Sequence, residues 1–293
     1  MYYSTGIDGQ ARHRRGAADL QDEVSKQPMK QYIVDAFSDR VFSGNQAAVC
    51  VMDTWPEDAL MCRIACENGF SETAFAVREG EAVHLRWFTP VTEIDFCGHA
   101  TLAAAYVLFR FYERSTEKIR FRTKVGQLTV ERKGEWLEMD FPAYALHPAD
   151  ISEDMESAMG ARPQEAFQDR DLLLVYPDER TVRGLRPDIE RVRALPGTLV
   201  IATAPAEDPG FDCASRIFAP KLGIEEDPVT GSAHCMIAPY WASRLHRKML
   251  RCLQASRRSG ILLARMEGER VRISGKAVLF ARCDILEDPE SQA

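Results

Sequence analysis

The 293-residue sequence lacks the long apolar segments of membrane and secreted proteins. No apolar run approaches the roughly 18 residues that span a bilayer, and residues 1–29 lack the apolar core of a signal peptide. These absences predict a cytoplasmic protein.

An excess of basic charge is also missing. The 37 Lys and Arg residues are outnumbered by 44 Asp and Glu residues, which gives a formal net charge of −7. Such a chain has no general attraction for phosphate backbones or anionic membranes. We therefore expect neither a nucleic-acid partner nor a membrane partner.

The eight cysteines lack the spacing of a zinc site or a disulfide framework. No two of them form a C-x-x-C pair, and most lie in apolar segments, so free buried thiols are expected. The sequence also has no P-loop, no dinucleotide-binding G-x-G-x-x-G and no metal-ligand spacing. We therefore expect no cofactor and no metal.

What the sequence does contain is enough apolar material for a core. Hydrophobic residues make up 45% of the chain, whose length suits one large or two medium domains. Residues 1–29 mix four basic with four acidic residues without a sustained apolar period, which predicts a mobile extension. From Gln31 onward, short strands are separated by single helices, which predicts an α+β fold.

Two predicted helices are unusually apolar, in the segments FCGHATLAAAYVLF and DPVTGSAHCMIAPYW. A helix that is apolar on every face is typical of a central position inside a sheet. The helices start at Gly98-His99 and Gly231-Ser232, where free N–H groups and the helix dipole favour an anion such as a substrate carboxylate. The alternative is simple capping, by Thr92 or Asp95 in the first helix and by Thr230 or Ser232 in the second.

Three ionisable residues lie near these segments, and each has a structural alternative. Glu72 lies at a strand start, where a solvated loop acid would also lie. His99 lies at a helix start that disfavours the charged ring, but a lone histidine is more often a satisfied structural residue. Asp227 precedes Pro228 and also suits a turn. A carboxyl group in a closing apolar cleft can have its pKa raised toward neutrality, which suits Glu72 to accept and return a proton.

Seven motifs in order resemble the PhzF family of phenazine-biosynthesis-like isomerases and epimerases over about residues 30–288. They are DAFSDRVFSGNQAAV, SETAF, LRWFTP, CGHATLA, SRIFAP, EDPVTGSAH and YWASRL. The resemblance implies a diaminopimelate-epimerase-like α+β fold with two pseudo-symmetric lobes, each a mostly antiparallel sheet wrapped around a central apolar helix. It predicts a first lobe of residues 30–118 plus 277–288, a second lobe of residues 119–276, and an active site in the cleft between them.

The resemblance also implies roles for residues within these motifs. Glu72 is the expected acid/base, and His99, Asp227 and Ser232 complete the expected catalytic set. The expected substrate-binding residues are Asn45, Ser71, Gly98, Thr230 and Gly231.

The resulting prediction is a cofactor-independent isomerase or epimerase that moves a proton between carbons of a small carboxylate-bearing substrate. The resemblance implies a dihydro-hydroxyanthranilate-like or amino-acid-like compound. The alternative is a small-ligand-binding or interaction protein that keeps the cleft but has little turnover. The expected assembly is a homodimer, although the sequence leaves the oligomeric state open.

A two-thiol racemase or epimerase is the rival mechanism within the same fold. Cys97 occupies the place of the first thiol, but Pro228 stands where the second is required, so Cys97 is expected to be a wall residue. The chain also departs from the family pattern at Gln46 and Ser259, where Pro and Gly are common. His234 is expected to face away from the site.

Overall fold

The computed structural model describes residues 28–286, so the extension predicted at residues 1–29 lies outside it apart from its last two residues. The strands within the described residues are β1 (Met29–Ala36), β2 (Asn45–Met52), β3 (Thr73–Glu79), β4 (Ala82–Phe88), β5 (Glu93–Ile94), β6 (Lys118–Thr123), β7 (Gly126–Lys133), β8 (Trp136–Pro142), β9 (His147–Pro148), β10 (Glu165–Gln168), β11 (Leu172–Val175), β12 (Val200–Pro205), β13 (Cys213–Ala219), β14 (Ile224–Asp227), β15 (Met249–Gln254), β16 (Gly260–Glu267), β17 (Arg270–Gly275) and β18 (Ala277–Ile285). The α-helices are α1 (Asp58–Asn68), α2 (Gly98–Val107), α3 (Glu153–Met159), α4 (Glu179–Gly184), α5 (Ile189–Ala194) and α6 (His234–Leu245). A π-helical turn at Leu108–Tyr112 follows α2, and a 3₁₀ turn spans Pro220–Leu222.

These strands form one continuous sheet. Their spatial order is β18-β1-β2-β3-β4-β6-β7-β8-β17-β16-β15-β13-β12-β11-β10-β9, with β5 beside β4 and β14 beside β13. Most neighbours are antiparallel, and the parallel pairs are β2–β3, β4–β6, β11–β12 and β13–β15. Segments distant in sequence therefore meet across the sheet, as where β8 pairs with β17.

The two apolar helices predicted from the sequence lie against this sheet. Helix α2 packs against β1, β2, β3, β8 and β18, and helix α6 packs against β15, β16 and β17. Eight of the 10 residues of α2 are buried, which explains why the helix has no polar face. The fold is therefore α+β with one part of the sheet wrapped around each central helix, and this prediction is confirmed. Residues 29–285 form one compact unit, and the lobe boundaries near residues 118 and 276 stay predictions.

The region between β9 and β12 contains more helix than the sequence predicted. Single helices between strands were expected, but α5 is accompanied in this region by α3 and α4. Both are short, and each begins with a side-chain cap: Ser152 accepts a hydrogen bond from Met155 N, and Asp178 accepts one from Thr181 N. Local capping thus stabilises helices that are too brief to show a clear apolar period.

No helix among residues 28–286 is both long and apolar enough to cross a membrane.

The cysteines are free, as expected, but their burial differs from one to another. Five are buried, Cys62 is partly buried, and Cys66 and Cys283 are exposed. The expectation of buried thiols is therefore wrong for the last two.

Candidate active site

Glu72 and His99 meet at the junction of two elements. Glu72 directly precedes β3, and His99 is the second residue of α2. The Oε2 atom of Glu72 lies 3.2 Å from the Nε2 atom of His99, with side chains only 16% and 7% exposed. The two atoms are not aligned as a hydrogen bond, and neither has another partner among the described residues. A carboxyl group and an imidazole ring therefore face each other with buried, unpaired atoms.

Burial changes the protonation of both groups. It raises the pKa of Glu72 from 4.5 to about 7, an effect increased by the nearby Asp227 carboxylate and opposed by a hydrogen bond from the Cys97 thiol. Burial lowers the pKa of His99 from 6.5 to about 4, opposed in part by the backbone of Gln46. Near neutral pH the ring is therefore neutral while the carboxyl group can gain or lose a proton. The contact is not a permanent ion pair.

Asn45, the first residue of β2, connects His99 to Asp227. Its Nδ2 atom lies 3.2 Å from His99 Nδ1, 2.7 Å from Asp227 Oδ1 and 3.0 Å from the Val229 carbonyl oxygen. The amide has two hydrogens for these three neighbours, so it is fully engaged. Because Nδ1 of the ring faces Asn45, Nε2 is the atom that faces Glu72.

The turn before β2 holds Asn45 in place. The buried Asp35 carboxylate accepts a hydrogen bond from Arg258 Nη2 at 2.8 Å, and Arg258 Nε donates to the Gly44 carbonyl oxygen at 2.8 Å. Gly44 has φ +74°, and a Cβ atom there would lie 2.2 Å from the Ala36 carbonyl oxygen. Only glycine fits this position, and its tight turn directs Asn45 into the site.

Asp227 is the last residue of β14. It is buried, and its oxygen atoms accept several hydrogen bonds. The Thr230 hydroxyl group donates to its carboxylate, and Gln254 Nε2 donates to its backbone oxygen at 2.8 Å. Burial raises the pKa of Asp227 to about 6, and the hydrogen bonds from Thr230 and Asn45 oppose that rise. Gln254 also accepts from Thr230 N at 2.8 Å, so it supports the whole turn. Gln254, the last residue of β15, was not predicted from the sequence as part of the site.

Ser232 is the one predicted catalytic residue outside this cluster. Its hydroxyl oxygen accepts a hydrogen bond from Arg170 Nη2 at 3.3 Å, and Arg170 also pairs with the buried Asp171 at 2.9 Å. Arg170 stacks over the Tyr144 ring and donates to its hydroxyl group at 3.3 Å. The hydrogen bonds of the described residues do not connect Ser232 to Glu72. Arg170 was not singled out from the sequence, where nothing distinguished it from other arginines.

The remaining predicted substrate-binding residues lie at the edges of the site. Ser71 is a partly exposed bend residue before Glu72, and Gly98 begins α2. A Cβ atom on Gly98 would lie 4.0 Å from the Phe96 and Phe141 rings, and one on Gly231 would lie 3.4 Å from the Phe37 ring. Their small size therefore leaves the space beside both helix starts open.

The capping alternative for the two central helices is not observed. The N-cap residues of α2 and α6 are Cys97 and Ala233, and neither makes a side-chain capping hydrogen bond. Thr230 donates to Asp227 instead. Helix α6 begins at His234 and not at the predicted Gly231-Ser232, because the residues from Gly231 to Ala233 form a turn. Backbone carbonyl oxygens in that turn accept from the first N–H groups of α6, as where His234 N donates to the Gly231 oxygen at 3.0 Å.

Cys97 is part of the cluster, since its Sγ atom lies 3.5 Å from His99 Nδ1. Burial, together with the neighbouring Glu72 carboxylate, raises the pKa of this thiol well above 9, so it is not a ready base. Pro228 lies where the rival mechanism needs a second thiol, and its carbonyl oxygen accepts from Ser256. His234 is buried with Nδ1 2.9 Å from the Thr230 carbonyl oxygen, and so supports the turn.

Comparison with known proteins identifies the family that the sequence motifs resemble, and the match covers nearly all of the described residues. The family model described as phenazine biosynthesis-like protein matches residues 34–283. An uncharacterized isomerase of Pseudomonas aeruginosa is 49% identical over 249 residues, which cover 85% of this chain and 95% of the relative.

Comparison with solved structures identifies the same family. The crystal structure of a PhzF family protein from Enterococcus faecalis aligns with a TM-score of 0.87 and 45% identity, over 89% of this chain and all 100% of that one. A hydroxyproline epimerase from Agrobacterium vitis, with bound trans-4-hydroxy-L-proline, aligns with a TM-score of 0.60 at 11% identity, over 91% of this chain and 95% of that one. The second likeness shows a shared fold alone, whereas the sequence matches show common membership. The chain belongs to the phenazine biosynthesis-like PhzC-PhzF family, whose relatives include proteins named isomerases.

Proposed function

We propose that this protein is a cofactor-independent isomerase or epimerase that moves a proton between carbons of a small carboxylate-bearing substrate. The observation that carries the proposal is the buried Glu72 carboxyl group, whose Oε2 atom lies 3.2 Å from the neutral His99 ring and has no hydrogen-bond partner among the described residues. A general acid/base works best when its pKa lies near the working pH, and burial raises the pKa of Glu72 to about 7.

In this mechanism the Glu72 carboxylate accepts a proton from a substrate carbon beside an electron-withdrawing group. The C–H electron pair moves into the substrate as an enolate or a shifted double bond. Glu72 then returns the proton to a different carbon, or to the other face of the same one. The net reaction neither oxidises nor reduces the substrate, so it needs no redox partner.

The other residues position the groups that react. His99 is neutral and faces Glu72 through Nε2, so it can donate to or accept from the carboxyl group during the transfer. Asn45 contacts the ring from its other side, and Asp227 accepts a hydrogen bond from Asn45. The start of α2 and the turn of residues 231–233 before α6 supply N–H groups for the substrate carboxylate and for developing negative charge.

Exchange of a substrate C–H for solvent deuterium tests this proposal directly. A thermal-shift screen of small carboxylic acids first identifies ligands, and NMR then measures deuterium uptake into each. Glu72→Gln keeps the shape but cannot accept the proton, so exchange should fall by about 10² to 10⁴ while ligand affinity changes little. Glu81→Gln, at an exposed glutamate in the β3–β4 turn, is the matched control and should retain full exchange.

Two results would contradict the proposal. Full exchange in Glu72→Gln would remove Glu72 as the base. Tight binding of several acids without any exchange in the wild type would favour the alternative of a small-ligand-binding protein.

A further inference from the structure

Two buried cysteines lie directly opposite each other on neighbouring strands. Strands β13 and β15 pair in parallel with Cys213 opposite Cys252, and both residues belong to the same hydrophobic core. Residues at one level of paired strands point their side chains to the same face, and neighbouring strands lie about 4.8 Å apart. The Cα atoms of a disulfide are usually about 4.4 to 6.8 Å apart. The register therefore places these two thiols where a disulfide can form without a large movement of the strands.

A second pair of cysteines shows what the register excludes. Cys50 and Cys283 both lie opposite Gln31 of β1, one on each neighbouring strand. Two strand spacings, roughly 9.6 Å, separate them, which exceeds the span of a disulfide. Among the cysteines in the described strands, only Cys213 and Cys252 are direct neighbours across a strand pair.

A histidine provides a proton acceptor beside this pair. His234 is buried at the start of α6, and its Nδ1 atom lies 2.9 Å from the Thr230 carbonyl oxygen. A carbonyl oxygen only accepts, so Nδ1 carries the ring hydrogen and Nε2 of the neutral ring keeps a free lone pair. Nε2 is buried without a hydrogen bond of regular geometry among the described residues, and the Cys252 thiol interacts with this ring.

The two thiols differ in acidity. Hydrogen bonding from the Cys213 thiol lowers the pKa of Cys252, against the effect of burial and with a contribution from His234. The same hydrogen bond, together with burial, raises the pKa of Cys213 well above 9. The thiolate is the form that attacks an oxidant, so Cys252 reacts first and Cys213 second.

We propose that Cys213 and Cys252 are an oxidation site, at which hydrogen peroxide closes a disulfide between β13 and β15. The Cys252 thiolate, formed by proton transfer to His234, attacks a peroxide oxygen; an S–O bond forms, the O–O bond breaks, and the departing hydroxide takes the proton from His234 as water. The Cys213 sulfur then attacks the Cys252 sulfur, and the S–O bond breaks as the hydroxyl group leaves with the Cys213 proton as a second water. The two thiols lose two electrons, and one peroxide becomes two waters. Hydrogen peroxide is close to water in size, so it reaches the buried pair during local opening of the sheet.

Oxidation of this pair affects the turn that holds Asp227. Gln254 lies two residues after Cys252 on β15, accepts from Thr230 N at 2.8 Å and donates to the Asp227 backbone oxygen at 2.8 Å. A disulfide draws the two sulfur atoms to about 2.05 Å and removes the Cys252 thiol from His234, so both supports of the turn change. The oxidised protein should therefore exchange substrate deuterium more slowly. This consequence rests on the proposed function, whereas the disulfide rests on the arrangement of the thiols.

Peptide mapping of the full-length wild type tests the disulfide. The folded protein is treated with hydrogen peroxide, quenched in acid and denaturant, alkylated, and digested without a reductant. A cross-linked peptide pair that contains Cys213 and Cys252 and has lost two hydrogen atoms is expected, and Cys50 should not cross-link to Cys283. Recovery of both Cys213 and Cys252 as thiols, at a peroxide dose that oxidises the exposed Cys66, would overturn the proposal.

Matched variants test the order in which the thiols react. In Cys213→Ala the disulfide cannot form, so a sulfenic acid should accumulate on Cys252, where dimedone in the quench traps it. In Cys252→Ala, Cys213 should stay reduced at the same dose, and its oxidation there would contradict the assigned order. Cys50→Ala removes a buried thiol of β2 outside the pair and should leave the cross-link unchanged. The wild-type map decides the disulfide even if a variant fails to fold.

Deuterium exchange tests the consequence. Peroxide should slow exchange in the wild type and dithiothreitol should restore it, whereas Cys252→Ala should keep its own rate after the same treatment. An equal loss in Cys252→Ala would contradict the effect, because another thiol would then be responsible. A disulfide that leaves the exchange rate unchanged would overturn the link to the turn, and a disulfide in a protein that never exchanges would overturn only the proposed function.

Discussion

Replacing Glu72 by Gln should make the folded protein more stable at alkaline pH. The folded pKa of Glu72 is raised from 4.5 to about 7, so the folded state holds this proton more tightly than the unfolded chain does. The stability linked to the proton is fully present below about pH 4.5 and is lost as the pH rises through about 7. An ionised Glu72 therefore destabilises the fold, and Gln removes that penalty.

The two pKa values determine the expected size of the effect. A tenfold change in proton affinity is about 1.4 kcal/mol, so ionisation of Glu72 destabilises the folded state by about 3 kcal/mol at pH 8 but only by about 1 kcal/mol at pH 5. The gain in Glu72→Gln over the wild type should consequently be about 2 kcal/mol larger at pH 8 than at pH 5.

Urea denaturation at the two pH values, in buffer with chelator, measures the difference. Glu81→Gln, which replaces an exposed glutamate outside the site, is the control measured alongside. The reasoning is refuted if Glu72→Gln shows the same stability change at pH 5 and pH 8, because Glu72 would then titrate alike in the folded and unfolded states.

Three further outcomes are expected. His99→Asn and Asp227→Asn should each slow deuterium exchange less than Glu72→Gln does, because the residues replaced position or relay the proton and are not the base. An equal or larger loss of exchange in either variant, measured by the same NMR assay, would make that residue the base. Cys97→Ser should lower the exchange rate less than about tenfold, because the thiol is protonated and takes no part in the proton transfer. For the same reason, a chelator should not lower the wild-type rate. Complete loss of exchange in Cys97→Ser, with the fold shown to be intact by circular dichroism, would revive the thiol mechanism. Ser259→Gly should raise the free energy of unfolding, measured by urea titration, by about 0.5 to 1 kcal/mol. Ser259 has φ +60°, a left-handed conformation that strains serine, and relief of this strain exceeds the entropy that glycine adds to the unfolded chain. A destabilised variant would contradict this.

Local signals in the sequence were sufficient to predict the main helices. Helix α1 ends at Asn68 with Gly69 in the left-handed conformation, and an Asn-Gly pair is a typical signal for a helix end. Helices α2 and α6 were recognisable because burial on all sides removes the polar face that other helices show. Such patterns depend only on neighbours within a few turns.

The contacts that build the site could not be predicted in this way. Asn45 bridges His99 and Asp227, which lie 54 and 182 positions away, and Gln254 supports the turn at Thr230 from a separate strand. No local pattern specifies which amide meets which carboxylate across a folded sheet. The motif resemblance named Asn45 and Asp227 as site residues, but only the structure shows that they share a hydrogen bond.

The ion pair between Asp35 and Arg258 has a consequence for the order of folding. It joins strand β1 to the loop before β16, 223 positions apart, and it fixes the turn that places Asn45. Closing so long a loop is slow and costs chain entropy before any contact repays it. The N-terminal hairpin can therefore form early with its asparagine out of place, and a ribosome-bound chain that has not yet produced Arg258 contains Glu72 and His99 without a working site. We expect the contacts that hold Asn45 beside His99 to be among the last that the growing chain forms.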